Sequence, residues 1–305
     1  MFKIGEKLKS VDYIYYTVKV VGKVLCLLPY NTILLLGTGL GKLAYKVLSK
    51  QRKRAIAQSR ECLGLSQAAA ETMIKKMFVN LGLSIMEIFY LPRAIKKKLL
   101  EVCSVEGLEN VEKIQSDKIG TIILSAHYGN WEWMGAYAIK LGLSVSSIAR
   151  VTDRGIDRYL NEQRAMAGLN IFRKTGRTVA AGAIKSLRNG DLLYMMMDGD
   201  AGGDRGAWVD FFGKKSSTHT GTAYFAAKYN AAVVPAFMRR TPSGHVMKVY
   251  PALRYEESDT EKDGGIKNFT QKLASIIEEE IRQYPENWLW FQKRWNTKWK
   301  QEVGG

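Results

Sequence analysis

Cysteine, histidine and proline are scarce in this chain, and acids are outnumbered by bases. The three cysteines, Cys26, Cys62 and Cys103, are an odd, scattered set with neither metal-site nor redox spacing. They read as reduced thiols of a cytosolic protein, not as a disulfide framework. Three histidines, equally scattered, argue against a histidine-built zinc site. The longest uncharged run lies between Lys23 and Lys42 and is interrupted by Pro29 and Asn31. It falls short of the roughly 20 apolar residues of a spanning helix. A hydrophobic content of 46%, ordinary for a soluble protein, excludes a multi-span transporter. There is no internal repeat and no low-complexity linker.

Positive charge is what the chain has in excess. Its net charge is +17 over 305 residues, which calls for nucleic acid, an anionic membrane surface or an acidic protein as partner. Residues 1–60 hold twelve Lys/Arg against Glu6 and Asp12, so 12 − 2 = +10 lies in the first fifth. These cations flank the apolar run, which favours a membrane surface, and no nucleic-acid recognition module is present. Two short helices dipping into one leaflet fit best; a single span and a buried core hairpin remain alternatives. A cleaved signal peptide fits poorly because the apolar run begins too late. The basic run Lys50–Arg60 reads as a phospholipid headgroup contact or as a solvated helix face. The expected division is therefore a membrane-anchoring helical segment over 1–60 and an α/β domain over 61–305.

From Val102 onward, short apolar runs alternate with helical stretches, the pattern of an α/β sheet flanked by helices. Candidate strands are 102–106, 119–125, 144–149, 192–197, 232–238 and 245–250. Ile74, Met77, Phe78, Leu81, Ile85 and Phe89 recur at helical spacing over 66–91, and Pro92 should end that helix. A second amphipathic helix covers 266–284, stopped by Pro285. Arg93 and Lys96–Lys98 form a second basic patch. The tail beyond it holds four tryptophans among cations, a mixture suited to a membrane interface.

The stretch Ile119–Gly135 carries the chemistry. Its first half is a strand buried on both faces, and His127 leaves the carboxyl end, where α/β folds place ligands. Glu132 follows five residues later, roughly 140° round a continuous helix, so the two could not share a helical face. A tight turn at Gly129–Asn130, with Asn130 as N-cap, would fold Glu132 back towards the imidazole. A carboxylate on one ring nitrogen fixes the tautomer and leaves the other to take a proton from a substrate hydroxyl. The alternative is a histidine capping a strand and a glutamate in a first helical turn. Arg150 leaves the strand 144–149 into the same crevice, suited to a phosphate or a developing oxyanion. Asp198 opens a glycine-rich loop after the strand 192–197 and reads first as a turn former. Phe211-Phe212 suits an acyl-chain pocket or core packing, His219 has little to distinguish it, and Arg239-Arg240 suits an anionic acceptor.

Ser-Ala-His-Tyr-Gly-Asn-Trp-Glu, residues 125–132, resembles the His-x4-Glu signature of the bacterial lipid A biosynthesis acyltransferases, within the glycerophosphate and lysophospholipid acyltransferase superfamily. Further landmarks resemble the family in order: Arg150, Arg164, Asp198, Phe211-Phe212-Gly213, Arg239-Arg240, and Trp290 with Lys293 and Arg294. Where the family has Pro-Asp-Gln, this chain has Met197-Asp198-Gly199. The resemblance implies a mixed-sheet α/β fold and an enzyme at the cytoplasmic face of the inner membrane. It implies acyl transfer from acyl carrier protein to a hydroxyl of a phosphorylated lipid A precursor, without cofactor or metal. His127 and Glu132 would be catalytic, with Asn130, Arg150, Arg164, Asp198 and Arg239 at the substrate. Arg150 and backbone amides after the first strand would hold the oxyanion. Acylation of a lysophospholipid or a mannosylated inositol lipid is the rival within the class. Other classes are an esterase using the same base on water and a non-enzymatic binder of anionic surfaces.

Overall fold

Short aliphatic runs build a seven-stranded mixed sheet at the centre of the computed structural model, which describes residues 2–149, 155–173, 177–256 and 264–299. The strands are β1 (Cys103–Glu106), β2 (Thr121–Ser125), β3 (Val145–Ala149), β4 (Asn170–Arg173) and β5 (Leu192–Met196), with β6 (Ala207–Phe211) and β7 (Lys214–Thr218) as a separate hairpin, then β8 (Ala232–Thr241) and β9 (Gly244–Val249). The sheet order is β1-β9-β8-β2-β5-β3-β4. Five strands run parallel, while β9, antiparallel to β8, and its parallel neighbour β1 run the other way. All six expected strands form. The three not anticipated are β4, a four-residue edge strand, and the two short strands of the β6–β7 hairpin.

β2 lies at the middle of the sheet and every one of its residues is buried. On one face Ile122, Leu124 and Phe237 pack with Phe269, Leu273 and Ile277 of helix 265–283. On the other, Ile123, Val234 and Met238 meet Trp133 and Tyr137 of the helix after β2. Two of the four tail tryptophans, Trp288 and Trp290, are fully buried in this core and Trp295 packs partly against it, whereas Trp299 stays exposed. Burying so much aromatic surface outweighs any gain at headgroup depth.

The helical layer begins with α1 (Phe2–Leu27) and α2 (Tyr30–Val47), divided at Pro29, which serves as the N-cap of α2. They are followed by α3 (Ser49–Leu63) and α4 (Gln67–Ala94), with α5 (Lys98–Val102) before β1 and α6 (Glu109–Ser116) after it. Pro92 does not end α4, which continues to Ala94; a proline this near the carboxyl end removes only one of the last helical hydrogen bonds. Arg93 is not a merely solvated cation either. Its Nη1 donates to the carbonyls of Cys26, Leu27 and Leu28 at 3.0, 3.1 and 3.0 Å, closing the end of α1. No described helix is long and apolar enough to cross a membrane. An apolar surface is nonetheless exposed, including Tyr13, Val20, Val24 and Leu27 of α1 and Leu35, Leu36, Leu43 and Val47 of α2.

α2 and α4 touch backbone to backbone because Gly37 and Gly41 face Gly82. A Cβ on Gly82 would collide with the Gly37 carbonyl oxygen and the Gly41 backbone, whereas one on Gly39 would meet nothing within 4 Å. Gly82→Ala is therefore expected to destabilise the fold by about 1–3 kcal/mol through overpacking. Gly39→Ala should stabilise it by about 0.5–1 kcal/mol by restricting the unfolded chain. Denaturant unfolding of the two variants checks the opposite signs.

Candidate active site

β2 and β5 are parallel neighbours with Ser125 opposite Met196. The Met197 N–H extends the pairing by donating to the Ser125 carbonyl at 3.1 Å. Both strands therefore deliver the second residue past their ends, His127 and Asp198, to one spot. Asp198 Oδ1 lies 2.9 Å from His127 Nδ1, and Oδ2 accepts the His127 backbone N–H at 3.0 Å. Trp288 Nε1 and Gln292 Nε2 donate to the same Oδ2 at 2.9 and 2.8 Å. The carboxylate side chain is wholly buried, while that of His127 keeps 35% of its surface exposed.

Burial pushes the Asp198 carboxyl up, but the His127 charge and the donated hydrogen bonds from His127, Gln292 and Trp288 prevail and hold it well below the carboxylate range. Burial pulls the His127 imidazole down; the adjacent Asp198 and, secondarily, the charge of Glu132 outweigh this and raise it above the ordinary histidine value. With a carboxylate on Nδ1, the neutral ring carries its proton there and presents the Nε2 lone pair. Trp131 meets the imidazole edge-on, with ring centroids 5.3 Å apart. Such a pair has the geometry to act as an oriented general base.

The carboxylate on the imidazole is thus that of Asp198, not Glu132. Glu132 lies in the first turn of α7 (Trp131–Lys140) and is clamped by Arg164 of α8 (Gly155–Met166). Arg164 Nε reaches Glu132 Oε2 at 2.8 Å, and its Nη2 holds Oε1. A bidentate guanidinium is a stronger partner than a neutral imidazole, so Glu132 turns to Arg164 and acts on His127 through charge alone.

Asn130 caps α7 as expected, its Oδ1 accepting the Trp133 N–H at 3.0 Å, and its Nδ2 donates to buried Glu87 at 2.7 Å. Both polar ends of Asn130 are engaged within the protein, and Asp198 likewise has no oxygen to spare for substrate. Arg239 pairs with Glu106 at 3.1 Å and lies over the Tyr284 ring. Arg150 lies outside the described residues. The amides after β2 are also committed: His127 to Asp198, Tyr128 to the Ala126 carbonyl and Gly129 to that of Asn287. They do not form the expected oxyanion hole. Phe211 and Phe212 are core, packed against Trp288.

The family model for the bacterial lipid A biosynthesis acyltransferases matches residues 4–297. The chain belongs to that family. It is 25% identical over 273 residues to the lipid A biosynthesis lauroyltransferase of Escherichia coli K12, covering 89% of this chain and 87% of the relative. It is 27% identical over 280 residues to the palmitoleoyltransferase of the same organism, with the same two coverages. A phosphatidylinositol mannoside acyltransferase of Mycobacterium tuberculosis CDC 1551 / Oshkosh is 25% identical over 214 residues, 68% of this chain and 66% of that protein. As a member of this family the protein is an acyltransferase, and its relatives imply a lipid acceptor.

Several groups that build this candidate site gave no sequence signal. Trp288 and Gln292 reach Asp198 from the tail, across ninety or more residues. Buried Glu87 gathers Arg240, His245, Tyr30 and Asn130 into one network. Asp198 stood out in the sequence only as a turn former and candidate substrate contact; that it meets His127 follows from β2 and β5 being neighbours.

The charge coupling has a direct test. The His127 imidazole should titrate above its ordinary value of 6.5. In Asp198→Asn burial remains and the attraction is gone, so the pKa should fall below the wild-type value. Nitrogen-15 histidine NMR against pH reads both; an unchanged titration would separate the two residues.

Proposed function

We propose that this protein moves a fatty acyl chain from acyl carrier protein to a hydroxyl of a lipid A precursor, at the cytoplasmic face of the inner membrane. The observation that carries this reading is the His127–Asp198 pair, with Nε2 open, in a chain of the lipid A acyltransferase family. His127 Nε2 takes the proton of the acceptor hydroxyl as its oxygen attacks the thioester carbonyl. The tetrahedral intermediate collapses, the carbon–sulfur bond breaks, and the imidazolium returns its proton to the leaving thiolate. Asp198 stabilises the imidazolium between these steps. Glu132, fixed by Arg164, adds negative charge beside the ring, and Arg150 is our candidate for the oxyanion.

The remainder of the chain suits the same setting. The exposed apolar faces of α1 and α2, beside ten net positive charges in residues 1–60, fit a helical segment lying in one anionic leaflet. The net charge of +17 complements both an acidic carrier protein and a phosphorylated acceptor. The similarity to a mannoside acyltransferase keeps a different glycolipid acceptor as the second reading.

Transfer from radiolabelled acyl carrier protein to a tetra-acylated lipid A precursor should be supported by the wild type. His127→Ala should lower it by about 10²–10⁴-fold, the usual contribution of a positioned base. Asp198→Asn should lower it less and move the acidic limb of kcat/KM to lower pH, because a less basic imidazole stays deprotonated further into acid. Glu132→Ala should reduce turnover through the loss of the Arg164 clamp. Unchanged transfer in His127→Ala would remove the base from the mechanism. Transfer only to a mannosylated inositol lipid would move the acceptor to the second reading.

A further inference from the structure

A cleft of about 1030 Å³ is lined by none of His127, Asp198 and Glu132. It opens between α2, α4 and the tip of the β8–β9 hairpin. Lys42 and Lys46 enter it from α2, Lys75 and Lys76 from α4, Lys98 from the segment before β1, and Arg240 from β8. Glu286 is the single acid in its lining. No described carboxylate pairs with Lys42, Lys46, Lys75 or Lys76, whereas Lys98 pairs with Glu101 at 2.6 Å. Four like charges left uncompensated around one concavity repel one another, and an anion inside would relieve the repulsion.

The deep wall is built rather than incidental. Arg240 and Tyr30 both bind the buried Glu87 carboxylate, Tyr30 through its hydroxyl at 2.8 Å. Glu87 also holds Asn130, the cap of the helix that follows His127. A single carboxylate thus joins the cleft wall to the catalytic turn. Asn31, Asn80 and Ser243 supply neutral hydrogen-bonding groups around the cations.

α2 also presents three faces. Gly37 and Gly41 pack on α4; Leu34, Thr38, Lys42 and Tyr45 line the cleft; Leu35, Leu36, Leu43 and Val47 face outward. At 100° per residue the cleft face and the exposed apolar face lie roughly 145° apart. The ligand that satisfies both is an amphiphile, with its anionic group in the cleft and its chains over the outer face of the helix. The volume is near the top of the roughly 300–1,000 Å³ range of small-ligand pockets. A docked protein would instead need an open patch of about 800 Å².

We propose that this cleft binds the phosphate-bearing headgroup of a lipid and, resting on the function proposed above, that the lipid is the phosphorylated acceptor. The test uses the full chain and lipid vesicles, and reads binding independently of turnover. Phosphatidylcholine vesicles carry a bis-phosphorylated tetra-acyl glucosamine disaccharide, its dephosphorylated counterpart, or phosphatidylglycerol at equal charge. The cleft variant is Lys42→Gln/Lys46→Gln/Lys76→Gln; the control, with equal loss of charge elsewhere, is Lys113→Gln/Lys140→Gln/Lys185→Gln.

The wild type and the control variant should bind the phosphorylated disaccharide at least about tenfold more tightly than the dephosphorylated one. The cleft variant should lose that preference, and inorganic phosphate should compete in the wild type only at high concentration. Equal preference for phosphatidylglycerol would overturn the acceptor as the source and assign the site to bulk phospholipid. The same loss in both triple variants would overturn the cleft altogether, leaving unspecific attraction. Lost affinity for carrier protein, with lipid preference intact, would also overturn it and mark a protein-docking surface. Acyl transfer without phosphate preference would defeat the cleft and leave the function standing; preference without transfer would do the reverse.

Discussion

The arrangement depends on one buried carboxylate. Asp198 is removed from water, and such a charge survives only if every lone pair it presents is used. Standing itself at the end of β5, it draws its donors from two other places: the end of β2 and the tail beyond the last long helix. Satisfying Asp198 therefore ties the tail to the sheet. It also orients the imidazole, because the charge that needs a donor is the charge that fixes the tautomer. Stability and chemistry share one interaction here, and removing a partner leaves an uncompensated buried charge costing about 3–5 kcal/mol.

A second buried carboxylate, Glu87, repeats the principle on the other side of the turn. Burial pushes its pKa up, but His245 and Arg240 hold it well below the ordinary range, and Tyr30 and Asn130 complete its shell. Between them Asp198 and Glu87 fix both ends of the segment 127–130. Gly129 allows the turn: its φ is +57°, and a Cβ there would collide with the Met238 carbonyl oxygen. Glu132 with Arg164 is a third, more peripheral pair that sets the charge beside the ring without touching it.

What was legible in the sequence follows from how local each cause is. The buried strands, the stripe on helix 265–283, the break at Pro29 and the Asn130 cap all rest on neighbours within a few residues, and each was readable. On α4 the expected stripe holds at Ile74, Met77 and Phe78, but beyond them the buried face runs through Gly82, Met86 and Tyr90 and not through Leu81, Ile85 and Phe89. His127 at the end of β2 was readable for the same reason. Its partner was not, since the choice between Glu132 and Asp198 depends on strand order, which periodicity does not encode. Trp288 and Trp290 of the tail misled because interleaved cations and aromatics look alike whether the rings face lipid or core. Trp288 resolves this only through its bond to Asp198. Arg93 shows the same limit from the other side, a surface cation by pattern and a cap for a distant helix in the fold.

The environment of the thiols bears on whether the acyl group pauses on the protein. Burial pushes Cys62 and Cys103 up to about 12, and Cys26 is raised as well, also chiefly by burial. A thiol in that state is a poor nucleophile, and none of the three is among the groups contacting His127. The histidine is instead raised above its ordinary value, partly exposed, and held on one nitrogen only. A base prepared this way, with no activated nucleophile among the described residues around it, suits removal of a proton from an incoming hydroxyl. The physical demand then falls on bringing that hydroxyl to Nε2, which is a matter of where the lipid is held. On our proposal, the cationic cleft that Glu87 joins to the turn after His127 would hold that lipid.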